Sequence, residues 1–427
     1  MDFKDTFCSS PWIHMRITNQ GYYNFCRWET TKIDETRENI TTVHPIDFYQ
    51  KTMSRVRTRI LDGEYLPECK PCYDMEQYDK ISGRQKQLLK TGIVLENFTK
   101  TLQASPYYTE FAKSTHNEEI VLPVDWQVDL GNYCNSACTF CSPESSSMIA
   151  GEFLKLGLLD QKIPSTWCND STLVDKLIET FIQTPNLKYI HFIGGETIIT
   201  PAFKKILNAL YDNNLTHVTL GFTTNLTVWN DEINELLSKF DSINLGLSIE
   251  SLNIDNDYAR YPSKIDNVKV ILDKWVELGK ENNWLLQIRM TPTWITVSSL
   301  STIFEYAFNN NIAVESCNFL HEPAHMRMSL LPLILRNEAI DNLDNWIASH
   351  RDHINNEATV NIRNPNIAKQ EILNDALSYL TYLRKAEYEY ELIPQLITFL
   401  HKIETSRNIS ILDYKPEYEE FLRDNGY

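Results

Sequence analysis

Residues 126–141 read WQVDLGNYCNSACTFC, a short strand-forming run that ends in a glycine turn and then Cys134, Cys138 and Cys141. Three thiolates at that spacing can wrap one face of an iron–sulfur cube and leave the fourth iron without a protein ligand. An iron left open in this way is a place for substrate chemistry. With 9 cysteines in 427 residues, a CxxxCxxC pattern arises by accident roughly 0.004 times in a chain of this length. The structural alternative is a zinc knuckle, which needs a fourth Cys or His nearby; none follows within easy reach.

Working outward, short apolar runs alternate with longer segments of helical period, which is the pattern of βα units around a parallel sheet. Six strands are predicted: Trp126–Leu130, Leu187–Ile193, His217–Phe222, Ser242–Ile249, Leu285–Met290 and Ala313–Leu320. Amphipathic helices such as Phe203–Tyr211 and Val268–Leu278 lie between them. The fold expected is α/β, with six repeats making a partial (β/α)6 TIM-like barrel over residues 123–322. The stretch WIHMRITNQGYYNF reads as a hairpin turning at Asn19–Gly21, followed by a helix near Phe48–Leu61. Residues 1–90 are therefore predicted to be a small separate unit, 91–122 a connector, and 323–427 a helical region.

The hairpin carries a second cysteine set. Cys8 and Cys26 stand at its two ends, and Cys69-Lys-Pro-Cys72 completes four thiols. Four thiolates from a hairpin and a CxxC turn make a closed site for either a fully ligated cluster or zinc, and ligand count does not choose between them. Clustered cysteines in a reducing compartment point to metal or catalysis more than to disulfides. Cys168 and Cys317 lack ligand spacing; Cys317, late in the sixth predicted strand, is the candidate for returning a hydrogen atom to a substrate radical. His14 and His321 read as ordinary core or surface histidines.

At Cys134, Cys138, Phe140 and Cys141 the sequence resembles the radical S-adenosylmethionine (SAM) superfamily, whose pattern is CxxxCxΦC with an aromatic at Φ. The resemblance implies that the three cysteines hold a [4Fe–4S] cluster whose open iron is chelated by SAM. It implies reductive cleavage of SAM to a 5′-deoxyadenosyl radical that abstracts a hydrogen atom from substrate. Gly194-Gly195-Glu196 resembles the family's GGE turn, in which the carboxylate accepts from the methionine ammonium; Thr197 stands where Pro often follows. Thr224-Asn225 and Ser248-Ile249-Glu250 fall at the next two strand ends, the latter where a polar pair commonly meets the ribose. Arg260, between Tyr258 and Tyr261, resembles a basic residue that contacts the SAM carboxylate. All sit at the carboxyl ends of parallel strands, the face on which barrels place chemistry.

The pattern CxxPW…G…C followed by CxxC, with Glu76, Ser82 and Arg84, resembles the auxiliary-cluster region of SPASM and twitch domains. Four cysteines match the one cluster of a twitch domain, and here they precede the barrel instead of following it. This implies a second, auxiliary [4Fe–4S] cluster and a reaction that oxidises or cross-links its substrate. A peptide or protein side chain is the leading substrate class, with dehydrogenation of a small sugar or cyclitol alcohol as the alternative. A reducing donor such as flavodoxin or ferredoxin is implied as a partner. A reading from another class, a non-catalytic metal-binding scaffold, would show zinc and no cleavage of SAM.

Composition is that of a folded globular protein: 42% hydrophobic, 23% charged, 13 Gly and 17 Pro. Forty Lys+Arg against 57 Asp+Glu give a formal charge of −17, which repels a phosphate backbone, so no nucleic-acid partner is expected. The start MDFKDTFCSSPW has no basic segment leading into an apolar one, and no run approaches the ~18 apolar residues of a membrane span. A cytoplasmic protein with no membrane partner is expected.

Overall fold

A computed structural model describes residues 5–26, 38–77, 82–108, 111, 122–164, 166–314, 319–351 and 365–427. Its strands are β1 (His14–Ile17), β2 (Tyr23–Asn24), β3 (Asp125–Asp129), β4 (Tyr189–Ile193), β5 (Thr219–Thr224), β6 (Ile243–Ser248), β7 (Leu285–Arg289) and β8 (Ala313–Val314). They form one sheet in the order β2-β1-β3-β4-β5-β6-β7-β8. From β3 to β8 every neighbouring pair is parallel, and helices lie between successive strands. This is an α/β fold with the parallel sheet expected of a partial barrel. The six predicted strands overlap β3 to β8 in turn; residues 315–318, including Cys317, lie outside the described residues.

The hairpin departs from expectation. β1 and β2 pair antiparallel, but β1 also runs parallel to β3, from His14 opposite Asp125 to Ile17 opposite Val128. The amino-terminal hairpin therefore extends the same sheet instead of standing apart. Side chains reinforce the join: His14 Nδ1 lies 3.0 Å from Asp125 Oδ1, and Arg16 Nη2 donates to Asp129 Oδ2 at 2.6 Å.

Strand side chains alternate between two faces, as the pleat requires. On one face Ile190, Phe192, Leu220, Phe222, Leu245 and Ile288 are sealed under helices. The helix Pro201–Asp212 shows why: Ala202, Phe203, Ile206, Leu207 and Leu210 recur at three- and four-residue steps and are all buried. The Phe203 ring meets Phe192 and Phe222 edge-on or tilted, at 5.2 and 5.4 Å between centroids. On the other face Tyr189, Thr219, Thr223, Asn244, Ser248, Gln287 and Arg289 remain partly accessible. That polar face lines the hollow of the sheet.

The carboxyl-terminal region is helical, with helices Leu333–His350, Pro365–Lys385 and Ile393–Arg407. The first two pack on the helix Leu300–Asn310. The third runs back toward the cysteine segment after β3. Among the described residues no helix is long and apolar enough to cross a membrane.

Candidate functional site

Cys134, Cys138 and Cys141 all line one cavity of about 240 Å³ at the carboxyl ends of β3 to β6. Phe140, Gly194, Gly195, Glu196, Asn225, Ser248 and Arg260 line the same cavity. The chain brings together seven predicted positions from five separate segments around the three cysteines. Ser136, Ser145 and Thr223 also line it and carry no sequence signal of their own.

The cysteine segment has no regular structure, so its backbone groups are satisfied by neighbours. Glu196 N–H donates to the Tyr133 carbonyl at 2.8 Å and Gly195 N–H to the Gly131 carbonyl at 2.9 Å. Farther along, Ala137 N–H donates to the Tyr261 carbonyl at 2.7 Å and Thr139 N–H to the Ala259 carbonyl at 2.9 Å. Ser146 caps the following helix, Ser147–Lys155, and its hydroxyl also donates to the Ser136 carbonyl at 2.7 Å. Asn225 Nδ2 reaches Asn135 Oδ1 at 2.9 Å and Ser136 Oγ at 3.0 Å.

The two glycines of the GGE turn have a role different from ligand approach alone. A Cβ at Gly195 would overlap the Tyr133 carbonyl oxygen and sit 2.8 Å from the Asn132 carbonyl carbon; at Gly194, where φ is +150°, it would meet the Gly131 oxygen at 2.6 Å. These positions let the turn lie against the backbone that carries the cysteines.

Glu196 is buried at the cavity wall. Its Oε2 accepts from the Asn225 backbone N–H at 2.6 Å and its Oε1 from the Ile198 N–H at 3.3 Å. Burial nevertheless pushes its carboxyl up to about 7. Arg260 Nη2 donates to Glu250 Oε1 at 2.8 Å, its Nε also meets Glu250, and its Nη1 lies 4.0 Å from Cys138 Sγ. Burial opposes its charge, but the Glu250 carboxylate overrides this and holds its pKa above the usual value. All three cysteine thiols are pushed up by burial, Cys141 to about 11.

Residues 128–291 match the family model described as the radical SAM superfamily. This segment is similar to radical SAM domains. The superfamily's members are enzymes that use SAM and a [4Fe–4S] cluster. Among solved structures, SuiB of Streptococcus suis bound to S-adenosylmethionine is 15% identical with a TM-score of 0.38, covering 79% of this chain and 69% of that one. The same SuiB bound to its precursor peptide SuiA is 14% identical with a TM-score of 0.36, covering 80% and 70%. The protein anSMEcpe with bound AdoMet is 14% identical with a TM-score of 0.38, covering 54% and 62%. No curated protein matches the chain.

The donor set around this cavity suits a [4Fe–4S] cluster with three thiolate ligands. Among the described residues no three Cys, His, Asp or Glu side chains converge as ligands of one ion do. The three thiols instead stand around a cavity, as ligands of separate irons must. Burial disfavours their thiolate forms, so a metal bound there would have to displace their protons.

Glu250, expected from its strand end to meet the cofactor, is placed elsewhere, and three other residues also stand outside the cavity. Glu250 does not line the cavity; its oxygens are engaged by Arg260 and, at 3.3 Å, by the Thr291 N–H. Tyr258 and Tyr261 do not line it either. Tyr258 donates to Glu404 Oε1 at 2.7 Å, and Tyr261 acts through its carbonyl and its ring, described below. Cys168 is buried 3.5 Å from Thr166 Oγ1, outside both cysteine cavities.

The second set also meets. Cys8, Cys26, Cys69 and Cys72 line a small cavity together with Phe25, Glu68 and Arg84. Burial pushes the Cys8 and Cys69 thiols up. Arg84 pairs with Glu76 through Nε, 3.0 Å from Oε1, and through Nη2, and its Nη1 donates to the Phe7 carbonyl at 3.1 Å beside Cys8. Ser82 caps the helix Gly83–Lys90 with a reciprocal capping box and also bonds Glu76.

A third cavity, about 330 Å³, opens on the other side of Cys141, with Phe153, Leu158, Pro323, His325 and Phe399 in its walls. His325 is 8% exposed, and its ring lies tilted by 51° with its centre 4.4 Å from that of Phe399. Burial lowers its pKa to about 4. Because the folded value lies below the unfolded 6.5, the neutral ring's contribution is full above pH 6.5 and is lost as the pH falls toward 4. Between pH 7 and 5 the wild type is expected to lose about 2 kcal/mol relative to His325→Gln. Denaturant melts of both proteins at the two pH values measure this; parallel melts would contradict it.

Proposed function

We propose that the chain is a radical SAM enzyme that reductively cleaves SAM and abstracts a hydrogen atom from a peptide or protein side chain, oxidising or cross-linking it. In this reading Cys134, Cys138 and Cys141 hold the SAM-binding [4Fe–4S] cluster, while Cys8, Cys26, Cys69 and Cys72 hold an auxiliary one in a twitch-like region of residues 1–90. The observation that carries the reading is the meeting of three thiols, the GGE turn, Asn225 and Arg260 around one cavity.

When bound, the first cluster supplies the electron that splits the sulfonium, delivered by a donor such as flavodoxin or ferredoxin, and the second offers an acceptor for an electron from the substrate. The chain's own residues do the rest. Glu196 presents a carboxylate to the SAM ammonium, and pairing with that cation favours its charged form. Arg260, kept cationic by Glu250, places positive charge beside the cysteine thiolates. Asn225 and the two glycines hold the cysteine segment in register with the strand ends, and the buried walls exclude water from a reactive radical.

The polar hollow of the sheet favours a second reading, dehydrogenation of a small polar alcohol. Ser248 and Thr223 belong both to that face and to the cavity wall, so a hydroxyl-rich substrate entering the cavity would find hydrogen-bonding partners there.

Anaerobic reconstitution with iron and sulfide, followed by reduction with SAM, tests the proposal. Formation of 5′-deoxyadenosine is expected; zinc without iron and no such product would overturn it. Changing Cys8, Cys26, Cys69 and Cys72 to Ala is expected to remove about four irons and to leave substrate-free SAM cleavage in place. A full iron complement in that variant would remove the auxiliary cluster from the account.

A further inference from the structure

The helix Ile393–Arg407 ends against the cysteine segment itself. Arg407 lies 270 positions from Ala137, and its Nη2 donates to the Ala137 carbonyl at 2.9 Å. The same guanidinium is forked onto Glu152, with Nη2 2.6 Å from Oε2 and Nε 2.9 Å from Oε1. Its Cζ lies 4.8 Å from the centre of the Tyr261 ring, and its side chain is 1% exposed. Tyr261 meanwhile takes the Ala137 N–H on its carbonyl. Both polar groups of Ala137, the residue immediately before Cys138, are thus fixed by one arrangement.

We infer that Arg407 is a positioning residue that sets the peptide between Ala137 and Cys138, and with it the direction of the Cys138 amide and thiol toward the cluster. This rests on the proposed role of the three cysteines. Hydrogen bonds around ligating sulfurs tune a cluster's potential, and the partners that orient ligands weigh nearly as much as the ligands. An arginine is suited to the task because its planar fork engages a carboxylate and still has an N–H for a carbonyl. A turn earlier on the same helix, Glu404 accepts from Tyr258 at 2.7 Å and from the Ile411 N–H at 2.7 Å. The helix therefore grips the 258–261 segment as well as the cysteine segment. A like device stands at the other cysteine cavity, where Arg84 pairs with Glu76 and donates to the Phe7 carbonyl beside Cys8.

The test compares full-length, reconstituted wild type with Arg407→Met, Arg407→Lys and Glu152→Gln. Two quantities are read without SAM: the rate at which a chelator strips iron, and the midpoint potential of each cluster. In Arg407→Met, iron at the Cys134 site is expected to leave about 10 to 100 times faster, and that cluster's potential to shift while the auxiliary one stays. Arg407→Lys is expected to restore part of both, because one ammonium cannot reproduce the fork. Glu152→Gln keeps the arginine and serves if Arg407→Met does not fold; it is expected to show the same shift in smaller degree. Unchanged potentials and stripping rates would overturn the inference and leave the proposed function standing, as would equal changes at both clusters, the mark of general loosening. A wild type with no cluster dependent on Cys134, Cys138 and Cys141 would instead overturn the proposed function, and this inference with it.

Discussion

Changing Cys134, Cys138 and Cys141 together to Ala is expected to abolish 5′-deoxyadenosine formation and to lower bound iron from about eight to about four per chain. The expectation follows from the separation of the two cysteine cavities, which share no lining residue. Thiols in one set cannot stand in for those in the other without moving the backbone on which they sit. The variant removes sulfur from a pre-shaped cavity and breaks none of the backbone bonds that hold the cysteine segment, so the fold is expected to survive. Iron analysis and product chromatography on one preparation decide the matter. Residual cleavage at the wild-type rate would mean that the cavity is not where SAM reacts.

The second large effect is expected from Gly195→Ala. A methyl group there would overlap the Tyr133 carbonyl oxygen and come within 2.8 Å of the Asn132 carbonyl carbon. Those are backbone atoms and cannot rotate aside, so either the turn or the cysteine segment must move. Overpacking of this kind costs about 1–3 kcal/mol, and the movement would break the Glu196–Tyr133 and Gly195–Gly131 bonds. A single methyl group is therefore expected to cause loss of the site cluster and of SAM cleavage, with the auxiliary irons retained. Iron counting on the variant measures this. A variant that keeps all its iron and its activity would show that the turn does not seat the cysteine segment.

What the sequence reveals, and what it hides, follows from the range of the interactions. The strands β3 to β8 are legible because each is an apolar run closed by a turn, and the helices between them show their buried face by period alone. The three cysteines are legible because their ligand spacing is local. The pairing of β1 with β3 is not, since His14 and Asp125 are 111 positions apart and neither strand carries a mark of its partner. Glu250 looks like a ligand contact from its place at a strand end; only the fold shows it spent on Arg260. Arg407 gives no signal at all, because its acceptors, the Glu152 carboxylate and the Ala137 carbonyl, lie 255 and 270 positions away. Gly194 and Gly195 are readable as glycines needed for close approach, but the surface approached is the chain's own backbone.

The claim on which the account rests is that one iron held by this chain has an open position taken by SAM. Electron–nuclear double resonance on the anaerobically reduced protein, with SAM carrying ¹⁵N at its amino group, tests it most directly. The expected result is a nitrogen coupling to the reduced cluster that changes with the isotope and disappears when Cys134, Cys138 and Cys141 are changed to Ala. A reduced cluster whose spectrum is indifferent to SAM, labelled or not, would contradict the account.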